Sequence, residues 1–179
     1  MKLKIKVKRI NKNIPLPEVT EKGDWIDLRA SETVHLNAPQ AGTLKRHVIN
    51  GTEVSHRDVT FDSQLIKLGV AMQLPKGFEA STLSRSSTYK NFFVILANSK
   101  GVIDQLYCGD NDEWRFHALA FNDTTINEGD RICQFRIQLS QKATMWQKIK
   151  WLLSSGVEII EVDELDNPDR KGIGSTGIR

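Results

Sequence analysis

RFHALAFNDTTINEGDRICQFRIQL, residues 115–139, decides the fold class. Its two ends, RFHALAF at 115–121 and CQFRIQL at 133–139, alternate apolar and polar side chains, the two-residue repeat of half-buried strands. Between them Asn127-Glu128-Gly129-Asp130 supplies turn chemistry, a glycine free to take left-handed dihedrals beside side chains that bond their own backbone. Working outward, KLKIKVKRI at 2–10 sets Leu3, Ile5 and Val7 against Lys4, Lys6 and Lys8, which predicts a strand whose lysines are solvated edge charges. LIKLGVAMQL at 65–74 reads as one strand running into Pro75-Lys76-Gly77, FFVILA at 92–97 as a fully buried strand, and VEIIEV at 157–162 as another. Many short strands joined by turns predict an all-β fold, closed or double-layered as in a jelly roll, in which few edges stay exposed.

Two segments depart from this pattern. ATMWQKIKWLLSSG at 143–156 spaces Met145, Ile149, Leu152 and Leu153 at helical intervals and ends on Gly156 as C-cap, so one short amphipathic helix is expected there. Its Trp146, Lys148, Lys150 and Trp151 are expected to face outward, as an accessory packing element or a surface for an unidentified protein partner. TLKRHVINGTEVSHRDVTFDSQ at 43–64 is polar, carries the hairpin signal Asn50-Gly51 and reads as an insertion.

Composition limits the function. In 179 residues, 25 Lys and Arg stand against 22 Asp and Glu, a formal charge of +3. That is too little to make nucleic acid the default partner, so anion recognition has to be local. Two cysteines, Cys108 and Cys133, and four histidines without HExxH pairing offer no zinc site. Reduced structural thiols are expected. No apolar run of about 18 residues and no apolar leader are visible, which predicts a cytoplasmic protein that does not enter a membrane.

Three short segments carry chemistry. GVIDQLYCGD at 101–110 sets Asp104 at the end of an apolar run with Tyr107 three residues on, an arrangement suited to a base, though an aspartate there also caps turns. SRSS at 84–87 gathers three hydroxyls around Arg85, whose guanidinium can fork onto phosphate oxygens, with Lys90 behind it; alone it reads as well as a polar loop. GIGSTG at 172–177 offers backbone amides, two hydroxyls and free glycine dihedrals, the parts of a phosphate cradle, and alone reads as well as a flexible terminus. Two anion sites and one acid suit a nucleoside triphosphate.

Five motifs in order then resemble those of the trimeric dUTP pyrophosphatases (dUTPases): GDWIDL at 23–28, SRSSTYK at 84–90, NSKGVIDQLYCGD at 98–110, GDRICQ at 129–134 and DRKGIGSTG at 169–177. The resemblance implies a jelly-roll-like β barrel, residues 1–166 with insertions near 43–64 and 143–156, assembled as a homotrimer, with 167–179 as a flexible phosphate-binding lid. It implies hydrolysis of dUTP to dUMP and pyrophosphate with Mg²⁺, which keeps uracil out of DNA and supplies dUMP for dTMP synthesis. Asp104 would be the general base that orients water for in-line attack on the α-phosphorus. Tyr107 would lie against the deoxyribose and exclude a 2′-hydroxyl; Asn98, with Gly101 and the hairpin backbone, would read uracil. Arg85, Ser86, Ser87 and Gln134 would hold the phosphates, Asp27 would meet the metal through water, and Arg170, Ile173, Gly174, Ser175 and Thr176 would form the lid.

Departures from the family pattern are Ile173 where an aromatic is frequent, Ser84 where proline is usual, Lys171 where glycine is common, and Trp25 in a motif typical of a bacterial and phage branch. Two other functions fit less of the chain. One is a regulatory protein that binds a repressor, as some phage relatives do, with catalysis secondary. The other is a dCTP deaminase of the same superfamily.

Overall fold

The computed structural model describes residues 1–19 and 23–170. Along the chain lie β1 (Leu3–Arg9), β2 (Ile26–Arg29), β3 (Val34–Leu36), β4 (Gln40–Ile49), β5 (Thr52–Thr60), β6 (Ser63–Lys67), β7 (Val70–Gln73), β8 (Phe78–Ser84), α1 (Thr88–Phe92), β9 (Val94–Leu96), β10 (Gly101–Ile103), β11 (Arg115–Ala120), β12 (Thr124–Ile126), β13 (Arg131–Leu139), α2 (Met145–Leu152) and β14 (Val157–Glu161). Short strands in several small sheets make this the all-β, jelly-roll-like barrel that the alternation predicts. A four-stranded sheet runs β10-β8-β13-β2, and three-stranded sheets run β14-β1-β7 and β6-β11-β9.

The inward residues of the alternating strands meet in one core. Phe78, Trp114, Phe116 and Phe135 are its largest members, each at most 1% exposed. Trp114 packs edge-on to Phe135 with ring centroids 5.2 Å apart. Side chains of this size each contribute about 1.5–3 kcal/mol by leaving water. One polar atom is stranded there, since the Trp114 indole N–H has no partner among the described residues.

Several strand expectations shift for physical reasons. Residues 65–74 form two strands, β6 and β7, because Gly69 between them takes φ +68° and breaks the ladder. In 92–97 only 94–96 is strand; Phe93 takes a left-handed φ of 52° to end α1, and Ile95 is exposed on its outer face. The lysine-rich β1 is a central strand, not an edge, with β14 parallel on one side and β7 antiparallel on the other. Lys4 and Lys6 are solvated as expected, whereas Lys8 pairs with Asp110 at 3.0 Å.

Both departures from the barrel pattern are ordered elements. The polar segment is the hairpin β4–β5, nearly all of it exposed, turning at Asn50 and Gly51 with φ of 51° and 79°. Both positive values match a two-residue type I′ turn. Helix α2 starts in a complete capping box of Thr144 and Gln147, and it ends at Leu153 in right-handed conformation, not at Gly156. Lys148 and Lys150 are exposed as expected, but the docked residue is Trp151 and not the aliphatic stripe. Trp151 packs on Phe78 with centroids 5.4 Å apart, while Met145, Leu152 and Leu153 are 70–80% exposed. Trp146 does face outward as the sequence suggests.

Candidate active site

The four-stranded sheet collects four of the five motifs. β8 delivers Arg85 at its C-terminal end; β13 pairs with it through Cys133 opposite Ser84 and Gln134 opposite Leu83. On the far side of β13, β2 sets Asp27 opposite Gln134. Residues 58 and 107 positions apart in the chain thereby become neighbours at one sheet end. Arg85 Nε donates to Asp27 Oδ1 at 2.8 Å, and Arg131 donates to Asp27 Oδ2 at 3.2 Å. Ser87 accepts from Arg85 at 3.4 Å.

Buried Thr88 fixes this corner. Its hydroxyl accepts from the Arg85 backbone N–H at 3.0 Å and donates to the Ile132 carbonyl at 2.8 Å, tying the loop after β8 to β13. Ser84, at the position where proline is usual, accepts from the Leu96 N–H at 3.2 Å. Its hydroxyl thus links β8 to β9, a contact proline could not make. Ser86 is exposed and Gln134 half-buried beside this cluster.

The third motif forms a separate cluster on β10 and the loop after it. Asp104 accepts from the Leu106 N–H at 2.7 Å and Tyr107 donates its own N–H to the Asp104 carbonyl at 3.2 Å, a compact turn that presents the carboxylate. The Tyr107 hydroxyl donates to the Glu113 carbonyl at 2.9 Å and its ring packs against the core. Burial first, and then the Asp112 charge, push the Tyr107 phenol upward, so it stays a neutral donor. Gly101 opposes Thr82, whose Oγ1 would lie 2.1 Å from any added Cβ. That glycine lets the hairpin lie flat on β8. Asn98 is exposed at the hairpin tip, where Ser99 takes φ 54°.

Arg170, the one expected lid residue within the described chain, forms an ion pair with Asp104 through its guanidinium. Lys171, Ile173, Gly174, Ser175 and Thr176 lie outside the described residues. The arm before Arg170 is held by acids: Asp110 accepts from the Leu165 N–H at 2.9 Å, and Asp169 from Asn111 at 2.9 and 2.7 Å. The Leu165 amide foremost, with Lys8, holds the Asp110 carboxyl below the usual range, and Asn111 does so for Asp169. A depressed folded-state value means that this stabilisation is complete above the ordinary carboxylate value of ~3.9 and is lost as pH falls through and below it. The amide resonances of Leu165 and Asn111 are therefore expected to hold their positions down to that value and to shift toward free-chain positions only below it. Movement already near pH 6 would contradict the assigned contacts.

The two clusters do not meet within one chain. β10 runs antiparallel to β8 from Gly101 opposite Thr82 to Ile103 opposite Ala80, so Asp104 follows toward the Phe78 end. Arg85 leaves at the other end, five residues beyond Ala80, or roughly 17 Å along the strand at ~3.4 Å per residue. The Arg85–Asp27 corner and the acid beside Tyr107 thus belong to different places on the chain.

Among the described residues, no three His, Cys, Asp or Glu side chains gather into a group able to hold a metal by themselves. No helix of the described chain is long and apolar enough to cross a membrane. Sequence reasoning missed Thr88, Arg131 and Asp112. The first two sit inside or beside quoted motifs, but their roles depend on partners 44 and 104 residues away.

Comparison with known proteins points to one family. The chain is 44% identical over 177 residues to the SPbeta prophage-derived deoxyuridine 5′-triphosphate nucleotidohydrolase YosS of Bacillus subtilis (strain 168), covering 99% of this chain and 100% of that one. Its fold is that of the dUTPase from Streptococcus mutans, with a TM-score of 0.57 and 18% identity over 77% of this chain and 98% of the other. It is similarly close to a dUTPase from phage phi11 of S. aureus in which a structural Mg(II) ion is coordinated, with a TM-score of 0.58 and 18% identity over 79% and 94% of the two chains. The Streptococcus chain is matched almost whole while nearly a quarter of this one is left over, so this chain carries elements that one lacks. The dUTPase family model matches residues 52–150, more than half of the sequence and the stretch that holds Arg85, Asp104 and Gln134, and the chain belongs to the dUTPase family.

Proposed function

We propose that this chain is a dUTP diphosphatase that hydrolyses dUTP to dUMP and pyrophosphate, with Asp104 as general base and a site shared between subunits of a homotrimer. The observation that carries the reading is the convergence of motifs one, two and four on Asp27, Arg85 and Gln134 at one sheet end, with Asp104 and Tyr107 held apart on their own hairpin. In a threefold assembly, one subunit's Arg85 corner faces the next subunit's hairpin and the halves complete each other. Exposed apolar surface supports such an assembly. Val102 and Leu106 flank Asp104 at 58% and 64% exposure, and Phe61, Tyr89, Phe93 and Phe121 form an open cluster of edge-to-face rings.

Asp104 orients a water and takes its proton as the water's oxygen attacks the α-phosphorus in line, and pyrophosphate leaves from the opposite side. Arg85, Ser86, Ser87 and Gln134 hold the phosphates still, so positioning supplies much of the rate. The donors fit a Mg²⁺ ion held mainly by substrate and water oxygens, because both Asp27 oxygens already accept from arginines yet keep a lone pair for a bound water. Such an ion would neutralise charge on the triphosphate. Tyr107, pinned through its hydroxyl, presents a rigid ring where a 2′-hydroxyl would clash, and Asn98 with the 98–107 backbone reads the uracil edge.

Residues 1–166 form the barrel domain, the segments near 43–64 and 143–156 are insertions that offer surface to a protein partner, and 167–179 is the lid, contributing Arg170, Ile173, Gly174, Ser175 and Thr176 to the phosphates. The enzyme acts on free nucleotide in the cytoplasm. Turnover of dUTP, dCTP, dTTP and UTP with Mg²⁺, followed by chromatography, tests the reading. Expected is strong preference for dUTP, with dCTP disfavoured by up to ~10⁴-fold through unpaired donors and acceptors. Formation of dUTP from dCTP would overturn it in favour of a deaminase.

A further inference from the structure

We propose that the loop Gly109–Asp112 is the anchor of the C-terminal arm, and that Asp112 is a positioning residue for dUTP hydrolysis, acting through Arg170. The inference rests on the reading of Arg170 as a phosphate-binding residue.

Consecutive loop residues all spend polar or steric capacity on the arm. Asp110 takes the Leu165 N–H, and Asn111 donates both its backbone and side-chain N–H to Asp169. Asp112 accepts the Arg170 N–H at 3.1 and 3.0 Å on its two oxygens and the Gly109 N–H at 2.9 Å. The Asp112 side chain is only 2% exposed. A carboxylate so buried is costly unless donors meet it, and the arm supplies one of the two backbone amides that do. Gly109 completes the seat. A Cβ there would lie 2.3 Å from Asp169 Oδ1 and, on the main chain, 2.6 Å from its Cα and 2.7 Å from its backbone N, which cannot swing aside as a side chain can.

Direction is fixed as well as attachment. Leu165 is buried at 2% exposure and Asp166 takes a left-handed φ of 56°, which turns the chain back across the loop. Arg170 then emerges with its guanidinium on Asp104. The base, the ribose-facing Tyr107 and the root of the lid therefore sit on one stretch, 104–112, and move together. A lid root displaced by about 1 Å can cost on the order of 10²-fold in rate.

The test compares Asp112→Asn and Asn111→Ala in the full chain and in a chain ended after Asp169. Hydrogen exchange at the Arg170 amide, measured without nucleotide, is expected to rise at least ~10-fold in both variants of the full chain. Affinity for the non-hydrolysable α,β-imido-dUTP is expected to fall ~10-fold or more in the full chain and to change little in the shortened one, where Arg170 is gone and nothing remains to be positioned. Equal losses in both backgrounds, or unchanged Arg170 exchange, would overturn the proposal. If Asp112→Asn fails to fold, Asn111→Ala, on an exposed residue, carries the same comparison. Should the intact protein neither bind the analogue nor turn over dUTP, the functional reading fails while the exchange measurement still decides whether the loop anchors the arm.

Discussion

Asp104→Asn is expected to lower kcat for dUTP by ~10²–10⁴-fold, the usual contribution of a positioned general base. The replacement is nearly isosteric, and its amide oxygen can still accept from the Leu106 N–H that shapes the turn. What it loses is the capacity to take a proton from water. The fold should survive, because Asp104 contributes nothing to the core and its ion pair with Arg170 lies between half-exposed side chains, where such pairs are worth ~0–1 kcal/mol. A melting temperature within a few degrees of the parent, with unchanged affinity for α,β-imido-dUTP, would assign the loss to chemistry. Undiminished turnover would remove Asp104 from the mechanism. The same variant separates catalysis from any regulatory role, since a repressor-type partner would still be captured by a chain that no longer hydrolyses dUTP.

How much of this was legible beforehand depends on the range of the forces involved. Alternation in 2–10, 115–121 and 133–139 is local, and each became the strand it predicts. The division of 65–74 turned on one glycine, visible in the sequence as an interruption of an apolar run. Phe93 gave no such sign. A bulky residue in left-handed conformation is held there by the helix it caps and by the strand that follows, which no window of sequence contains. Helix α2 was found by its period and misjudged in its orientation, because contact between Trp151 and Phe78 chose the docked face over the richer aliphatic one. In the site, the motif residues were legible through their likeness to a family. Thr88 and Asp112 were not, since a buried hydroxyl and a buried carboxylate gain meaning only from partners 44 and 58 residues away.

Mixing two inactive variants should restore activity, and this result has the largest consequence for the assembly. Arg85→Ala removes the anion grip and frees Asp27 from one of its two arginines, so it is expected to lower kcat/KM for dUTP by at least ~10²-fold, the loss of a charged hydrogen-bonding partner on a reacting phosphate. Asp104→Asn removes the base. If a site takes Arg85 from one subunit and Asp104 from the next, subunits exchanged at equal ratio and reassembled at random put an intact Arg85 beside an intact Asp104 in about a quarter of all sites. Mixed trimers should therefore recover about a quarter of the parent activity from two preparations that separately have almost none. If both residues served the same subunit's site, every site would carry one lesion and nothing would be regained. The strand register argues for recovery: Arg85 and Asp104 leave opposite ends of the paired strands β8 and β10, a separation no side-chain rotation in one subunit can close.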